Sequence, residues 1–310
     1  MLSYRKLAMR VLGRPLHTEG ISSPHPASQR AAAFILTAAM LTTLAAPAFA
    51  DIWHIEDGDI TVKASGTEGK NTVSQGNKKD VEDTNTIITN RDKNTASSHT
   101  VTIEAGNDKV EVTLKDVNIK ADSGSALTSK GDVTLTLKGD NHLTGGISDN
   151  GNYGLSGISS SGSLTISGGE TDSLTAQGGS GTDGSGGRGI FSKDLTISGG
   201  TVNANGGDGK NGSGGSGITS LGSLTISGGT VNAAGGDGTN SSDGGDGITN
   251  NRGVTISSGG TVTAKGGSGE DGSGGRGISS FGGVTISSGG TVTATGGNST
   301  AVSYTHLRAH

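Results

Sequence analysis

The sequence predicts an all-β fold, a single-chain right-handed parallel β-helix. It would have about seven rungs of three short strands each, with glycine-rich loops at one corner. Three observations predict it. A Gly-Ile pair recurs at Gly157-Ile158, Gly189-Ile190, Gly217-Ile218, Gly247-Ile248 and Gly277-Ile278, at spacings of 32, 28, 30 and 30 residues. Each pair is followed by a polar turn, then [LV]-T-I-S, then Gly-Gly, then T-V-[NT]-A, with Ser173-Leu174-Thr175-Ala176 as a degenerate first copy of the last run. Within each run the alternation is strict: Leu224 and Ile226 flank Thr225, and Val231 and Ala233 flank Asn232. A period of two means strand with the aliphatic face inward. A repeat of about 30 residues that cannot bury its own apolar face does so by stacking on the next.

The chain begins with a segment of a different kind. Arg5, Lys6, Arg10, Arg14 and Arg30 form a basic lead, and an apolar run follows from Ala31 to Leu44. Ala48 and Ala50 then satisfy the small-residue rule for signal cleavage. The apolar run falls short of the ~20 residues that span a bilayer. Residues 1–50 therefore read as a signal peptide cut after Ala50, with no membrane span once it is removed. The expected location is secreted or at the cell surface. Cysteine is absent, which excludes disulfides and thiolate metal sites. Removing the lead leaves 18 basic residues (23 less 5) against 27 acidic ones (28 less 1), a net of −9. Such a balance argues against nucleic acid as a partner. Glycine supplies 59 residues and proline only 4, so the glycine content is not collagen-like.

Residues 51–100 are less regular. They hold Trp53 and a charged stretch from Lys78 to Asp83. They read as an N-terminal cap, since an open β-helix end exposes unpaired backbone. Residues 101–300 carry the rungs. Like residues fall into five inward columns, headed by Ile158, Leu164, Ile166, Leu174 and Ala176 and repeated to Ile278, Val284, Ile286, Val292 and Ala294. Upstream, Leu127, Val133, Leu135 and Leu143 are expected one rung before Ile158, Leu164, Ile166 and Leu174. Val112, Leu114 and Ile119 fit a shorter rung before that.

The loops share G-G-x-G-x-[DN], as in GGSGTDGSGGR from Gly178, GGDGKNGSGGS from Gly206, GGDGTNSSDGGD from Gly235 and GGSGEDGSGGR from Gly266. Asp183, Asn211, Asn240 and Asp271 are expected in one column. About five aliphatic groups per rung do not offset the entropy of ordering a ten-residue loop. Either the loops move, or an external ligand orders them. Calcium, a hard cation taking oxygen ligands, suits Asp183, Asp208, Asp237, Asp243, Asp246, Asp271 and the glycine carbonyls. The motif resembles the calcium-binding nonapeptide repeat G-G-x-G-x-D-x-U-x. It departs from that repeat by placing Ser185, Ser213, Ser242 and Ser273 where a large apolar residue belongs. A second candidate ligand face is the outward array of Thr201, Thr230, Thr261 and Thr291 beside Asn203, Asn232, Thr263 and Thr293. Threonine is also simply a favoured exposed strand residue.

The stretch VEVTLKDVNIKADSGSALTSKGDVTLTLKGDNHLTGG, followed by GLSGISSSGSLTISGG, is similar to a family of exported bacterial carbohydrate-binding β-solenoids. These share the architecture of pectate lyases and act as binding domains. The resemblance covers about Ile52 to Gly297 and is best from Val110 to Gly146. It implies binding to plant-type polysaccharide, acidic polymers included, with calcium assistance. The expected function is thus a non-catalytic module that binds polysaccharide or a host or cell-surface glycan. The alternative is a structural adhesin or stalk, which the glycine-enlarged loops resemble. A polysaccharide lyase is a lesser alternative. Arg188 and Arg276 end equivalent loops, but Ser216 and Asp246 hold the same place in other rungs, and a catalytic site used once would not follow the repeat. No catalytic residue is expected. The last residues, SYTHLRAH from Ser303, break the composition and resemble translated sequencing-adapter read-through. Residues 301–310 are therefore set apart as a non-native tail, with the natural chain expected to continue past about Ala301.

Overall fold

The structure, a computed structural model, describes residues 51–67 and 69–299. The expected signal segment 1–50, with Ala48 and Ala50, and the tail 301–310 lie outside the described residues. Apart from a 3-10 turn at Ile55–Asp57, every regular element described is a strand. Among the described residues no helix is long and apolar enough to cross a membrane.

Three faces of parallel strands stack along one axis. The first carries Ile158–Ser160, Ile190–Ser192, Ile218–Ser220, Ile248–Asn250 and Ile278–Ser280. The second carries Ser163–Ser167, Asp194–Ile197, Ser223–Ile226, Gly253–Ile256 and Val284–Ile286. The third runs through Asn118–Lys120, Asp140–Thr144, Ser173–Gln177, Thr201–Asn205, Thr230–Ala234, Thr261–Lys265 and Thr291–Thr295. Seven rungs result, beginning at Val101, Leu127, Ile158, Ile190, Ile218, Ile248 and Ile278. All five inward columns hold in register from rung 3 to rung 7, so Ile166, Ile197, Ile226, Ile256 and Ile286 stand in line. Their side chains are fully buried through Ile256. Each such aliphatic contributes about 1.5–3 kcal/mol on burial, and parallel pairing on both sides satisfies the backbone between them. The turn from the second face to the third needs a left-handed residue, and Gly200 and Gly229 supply it at φ 78° and 73°.

Rungs 1 and 2 depart from three separate short strands. Val101–Lys115 and Leu127–Lys138 each run continuously through the first two faces. One expected position is also corrected. Leu143 lies beside Ala176, not Leu174, and Asn141 takes the place beside Leu174. Asn141 is fully buried, accepting from Val117 N–H at 3.0 Å and donating to the Lys138 and Ser173 carbonyls at 3.2 and 3.1 Å. A large residue beside a small one, and a satisfied amide beside Leu174, conserve the volume of the two columns together.

Residues 51–100 do more than cover an end. Ile60–Ala64 and Ile87–Thr89 stack in parallel on rung 1, and Ile52–His54 stacks on Ile87–Thr89. The stretch Asn71–Gln75 and Lys78–Asp83 folds back antiparallel from Ile60–Ala64. Trp53 and Ile55 are buried here. The indole N–H of Trp53 donates to Asp83 Oδ2 at 2.8 Å, and Lys78 Nζ lies 4.9 Å from the ring centre. At the other end of the described stack Val284 is 42% and Ile286 51% exposed, while Ile278 and Val292 pack partly buried against the core.

Candidate functional site

The glycine loops form a hydrogen-bonded lobe along one corner of the stack. Each lobe sends one glycine run outward and brings a second back. A single zigzag of backbone hydrogen bonds links the runs. Gly187 donates to Gly179, Gly207 to Gly187, Gly215 to Gly207, Gly236 to Gly215, Gly245 to Gly236, Gly267 to Gly245, Gly275 to Gly267 and Gly297 to Gly275, all at 2.8 Å. Backbones meet with no room for a side chain. A Cβ on Gly207 would lie 2.0 Å from the Gly179 carbonyl oxygen, and one on Gly245 would lie 2.0 Å from that of Gly215. Mutual hydrogen bonding along the stack ties each loop to its neighbours.

The loop aspartates serve this lobe. Asp208 Oδ1 accepts from the backbone N–H of Asp237 at 2.9 Å, and Asp237 Oδ1 from that of Ser268 at 2.6 Å. Asp243 accepts from Ser273 N–H and Asp246 from Arg276 N–H, each at 2.7 Å. Each carboxylate therefore clips its rung to the next. At the tip Asn211 donates to Asp183 Oδ1 at 2.6 Å and Asn240 donates to Asn211. The expected column holds for these three. Asp271 shares the left-handed backbone of Asn211 and Asn240, but in register it lies beside Ser242. Among the described residues, no three of His, Cys, Asp or Glu converge as a metal site.

The outward Thr and Asn positions also fall where expected. Thr201, Thr230, Thr261 and Thr291 form one column of the third face, and Asn203, Asn232, Thr263 and Thr293 the next. Asn232 Nδ2 donates to Asn203 Oδ1 at 2.9 Å, so that pair is engaged within the stack.

One concave feature with mixed chemistry lies elsewhere, on the corner between the first and second faces. A groove of about 530 Å³ is lined by Ser160, Ser161, Phe191, Lys193, Asp194, Leu221, Gly222 and Arg252. It crosses four successive rungs, from Ser160 on rung 3 to Arg252 on rung 6. Phe191 offers a half-buried aromatic face, with the Arg188 guanidinium 5.2 Å from its ring centre. Leu221, at the apex of rung 5, is 45% exposed. Lys193 and Arg252 are exposed cations facing one carboxylate, that of Asp194. Asp194 accepts from Ser223 N–H at 2.9 Å and Ser223 Oγ at 3.0 Å. These bonds, the backbone one first, hold its carboxyl below the usual range, so it stays ionised.

An inward polar ladder shapes this corner. Ser129, Ser160, Ser192, Ser220 and Asn250 are buried in one column. Ser220 Oγ donates to the Ser223 carbonyl at 3.0 Å, and Asn250 Nδ2 to the Gly222 carbonyl at 2.7 Å. The turn that presents Lys193, Leu221 and Arg252 is thus pinned from inside. Sequence reasoning missed Lys193, Leu221 and Arg252 because they occupy the variable polar turn after each Gly-Ile pair. A signal existed two residues after each Ile, where Ser or Asn recurs at 160, 192, 220, 250 and 280. No protein-family model, curated protein or solved structure matches the chain.

Proposed function

We propose that this chain is an exported, non-catalytic solenoid that binds acidic polysaccharide in the corner groove. One observation carries the reading: an aromatic and an aliphatic side chain, Phe191 and Leu221, share a groove with Lys193 and Arg252 on a chain that is otherwise acidic. Sugar rings present an apolar face suited to aromatic contact, and cations complement uronate carboxylates. The groove runs along the stacking direction, so an extended polymer can occupy it.

The test is titration calorimetry of the purified chain with polygalacturonate and with a neutral glucan. Binding of the acidic polymer alone is expected. The double variant Lys193→Ala/Arg252→Ala should weaken it by about fivefold to twentyfold, two exposed ion pairs' worth. Binding should survive a calcium chelator, because the groove's own cations supply the charge. Loss of binding with chelator would return the site to Asp183, Asp208, Asp237, Asp243, Asp246 and Asp271. Release of unsaturated sugars, read as ultraviolet absorbance, would make the protein a lyase instead.

A structural adhesin or stalk is the second reading, favoured by the hydrogen-bonded glycine lobe. It expects cells displaying the chain to attach equally well with Lys193→Ala/Arg252→Ala.

A further inference from the structure

We infer that the groove takes glycans carrying a carboxylate on every second sugar, laid parallel to the solenoid axis. This rests on the polysaccharide-binding reading and adds the charge pattern of the ligand. The parallel register spaces consecutive rungs by about 4.8 Å, close to the advance of one pyranose unit in an extended chain. The two cations are not on adjacent rungs. Lys193 follows Phe191 on rung 4 and Arg252 belongs to rung 6, so they stand about 10 Å apart along the axis. Rung 5, between them, presents Leu221 at its apex and no cation, and the charge at its turn is the Asp194 carboxylate held on Ser223. The sequence continues apolar beyond Arg252, where Phe281 on rung 7 is 86% exposed.

A polymer that alternates a uronate with a neutral sugar matches this order: carboxylate at Lys193, uncharged ring at Leu221, carboxylate at Arg252. A polymer charged on every unit places a carboxylate against Leu221, where it loses water and gains no cation. Selection by a misplaced charge is as effective as selection by a matched one. Asp194, the carboxylate lining the groove, is held by Ser223, and it adds repulsion against any extra ligand carboxylate near rungs 4 and 5.

The experiment is calorimetry on the full chain with three probes: a decasaccharide alternating glucuronate and N-acetylhexosamine, a galacturonate decamer, and a disaccharide of the alternating type. The alternating decasaccharide is expected to bind at least about threefold more tightly than the homopolymer, with the disaccharide far weaker than either. Leu221→Lys, at an exposed turn apex, adds a cation on rung 5. It should raise galacturonate decamer affinity by about twofold to fivefold, the effect of one exposed pair, and weaken the alternating chain, whose uncharged ring loses its apolar contact. Tighter binding of the homopolymer to the unmodified chain would overturn the inference and leave the polysaccharide reading standing. Equal gains for both polymers with Leu221→Lys would do the same, and a disaccharide binding as well as the decasaccharide would overturn the axial lie. If no acidic polymer binds at all, the inference and the reading beneath it fall together.

Discussion

At the residue scale, the carboxylates that matter most for folding are not at the lobe tips. Asp172 is buried at the turn into the third face, where it accepts from Gly169 N–H at 2.8 Å, Gly139 N–H at 2.9 Å and Lys138 Nζ at 3.4 Å. The two backbone donors, ahead of the lysine, pull its carboxyl below the usual range. A depressed folded value stabilises the native state above the unfolded carboxyl value of about 3.9. That stabilisation disappears as the pH falls through the lower folded value, since protonation then removes the acceptor. Asp194 behaves in the same direction through Ser223. The urea midpoint of the unmodified chain should therefore drop between pH 6 and pH 3. Asp172→Asn should lower the midpoint at pH 6 and flatten the remaining slope. An unchanged slope in that variant would remove Asp172 from the acid response.

At the element scale, the glycine lobe is a second core made of amides. Its glycines are required by contact, not by backbone angle: their neighbours along the stack are carbonyl oxygens about 2 Å from any added Cβ. Gly207→Ala therefore cannot be relieved by turning a side chain. It should cost at least about 3 kcal/mol, the upper end of overpacking penalties, seen as a loss in thermal midpoint. Lys210→Ala, at the exposed tip of the same lobe, should change it little. This element also marks where sequence reading stopped. The three faces were legible because an aliphatic every second residue announces a strand, and five columns followed from aligning Ile158, Leu164, Ile166, Leu174 and Ala176 with their repeats. The lobe was not legible, because glycine has no side chain and its packing is written only in the spacing of Gly179, Gly187, Gly207 and Gly215. The groove was hidden for the opposite reason. Lys193, Leu221 and Arg252 do not repeat, and only the stack brings them to one corner.

At the scale of the whole molecule, stability is distributed as in a one-dimensional array, where each rung depends on its neighbours. The two ends of the described stack differ. Rung 1 is covered by Ile60, Val62, Trp53 and Ile55, all buried, while rung 7 exposes Val284, Ile286 and Phe281. A column can therefore be probed with one substitution at two heights. Ile226→Ala removes a fully buried side chain between Ile197 and Ile256 and should cost about 2–5 kcal/mol. Ile286→Ala removes one already 51% exposed and should cost under about 1 kcal/mol. The same gradient should govern opening without mutation. Amide hydrogen exchange is expected to be slowest in rungs 2 to 5 and fastest in rung 7, because sub-global opening begins where few apolar contacts must be broken. Corner residues follow the rungs that carry them, so Lys193 on rung 4 should sit in protected backbone, and Arg252 on rung 6 nearer the opening end. Uniform protection from Leu127 to Ile286 would mean that the stack opens only as a unit, and the nearest-neighbour account of its stability would then be wrong.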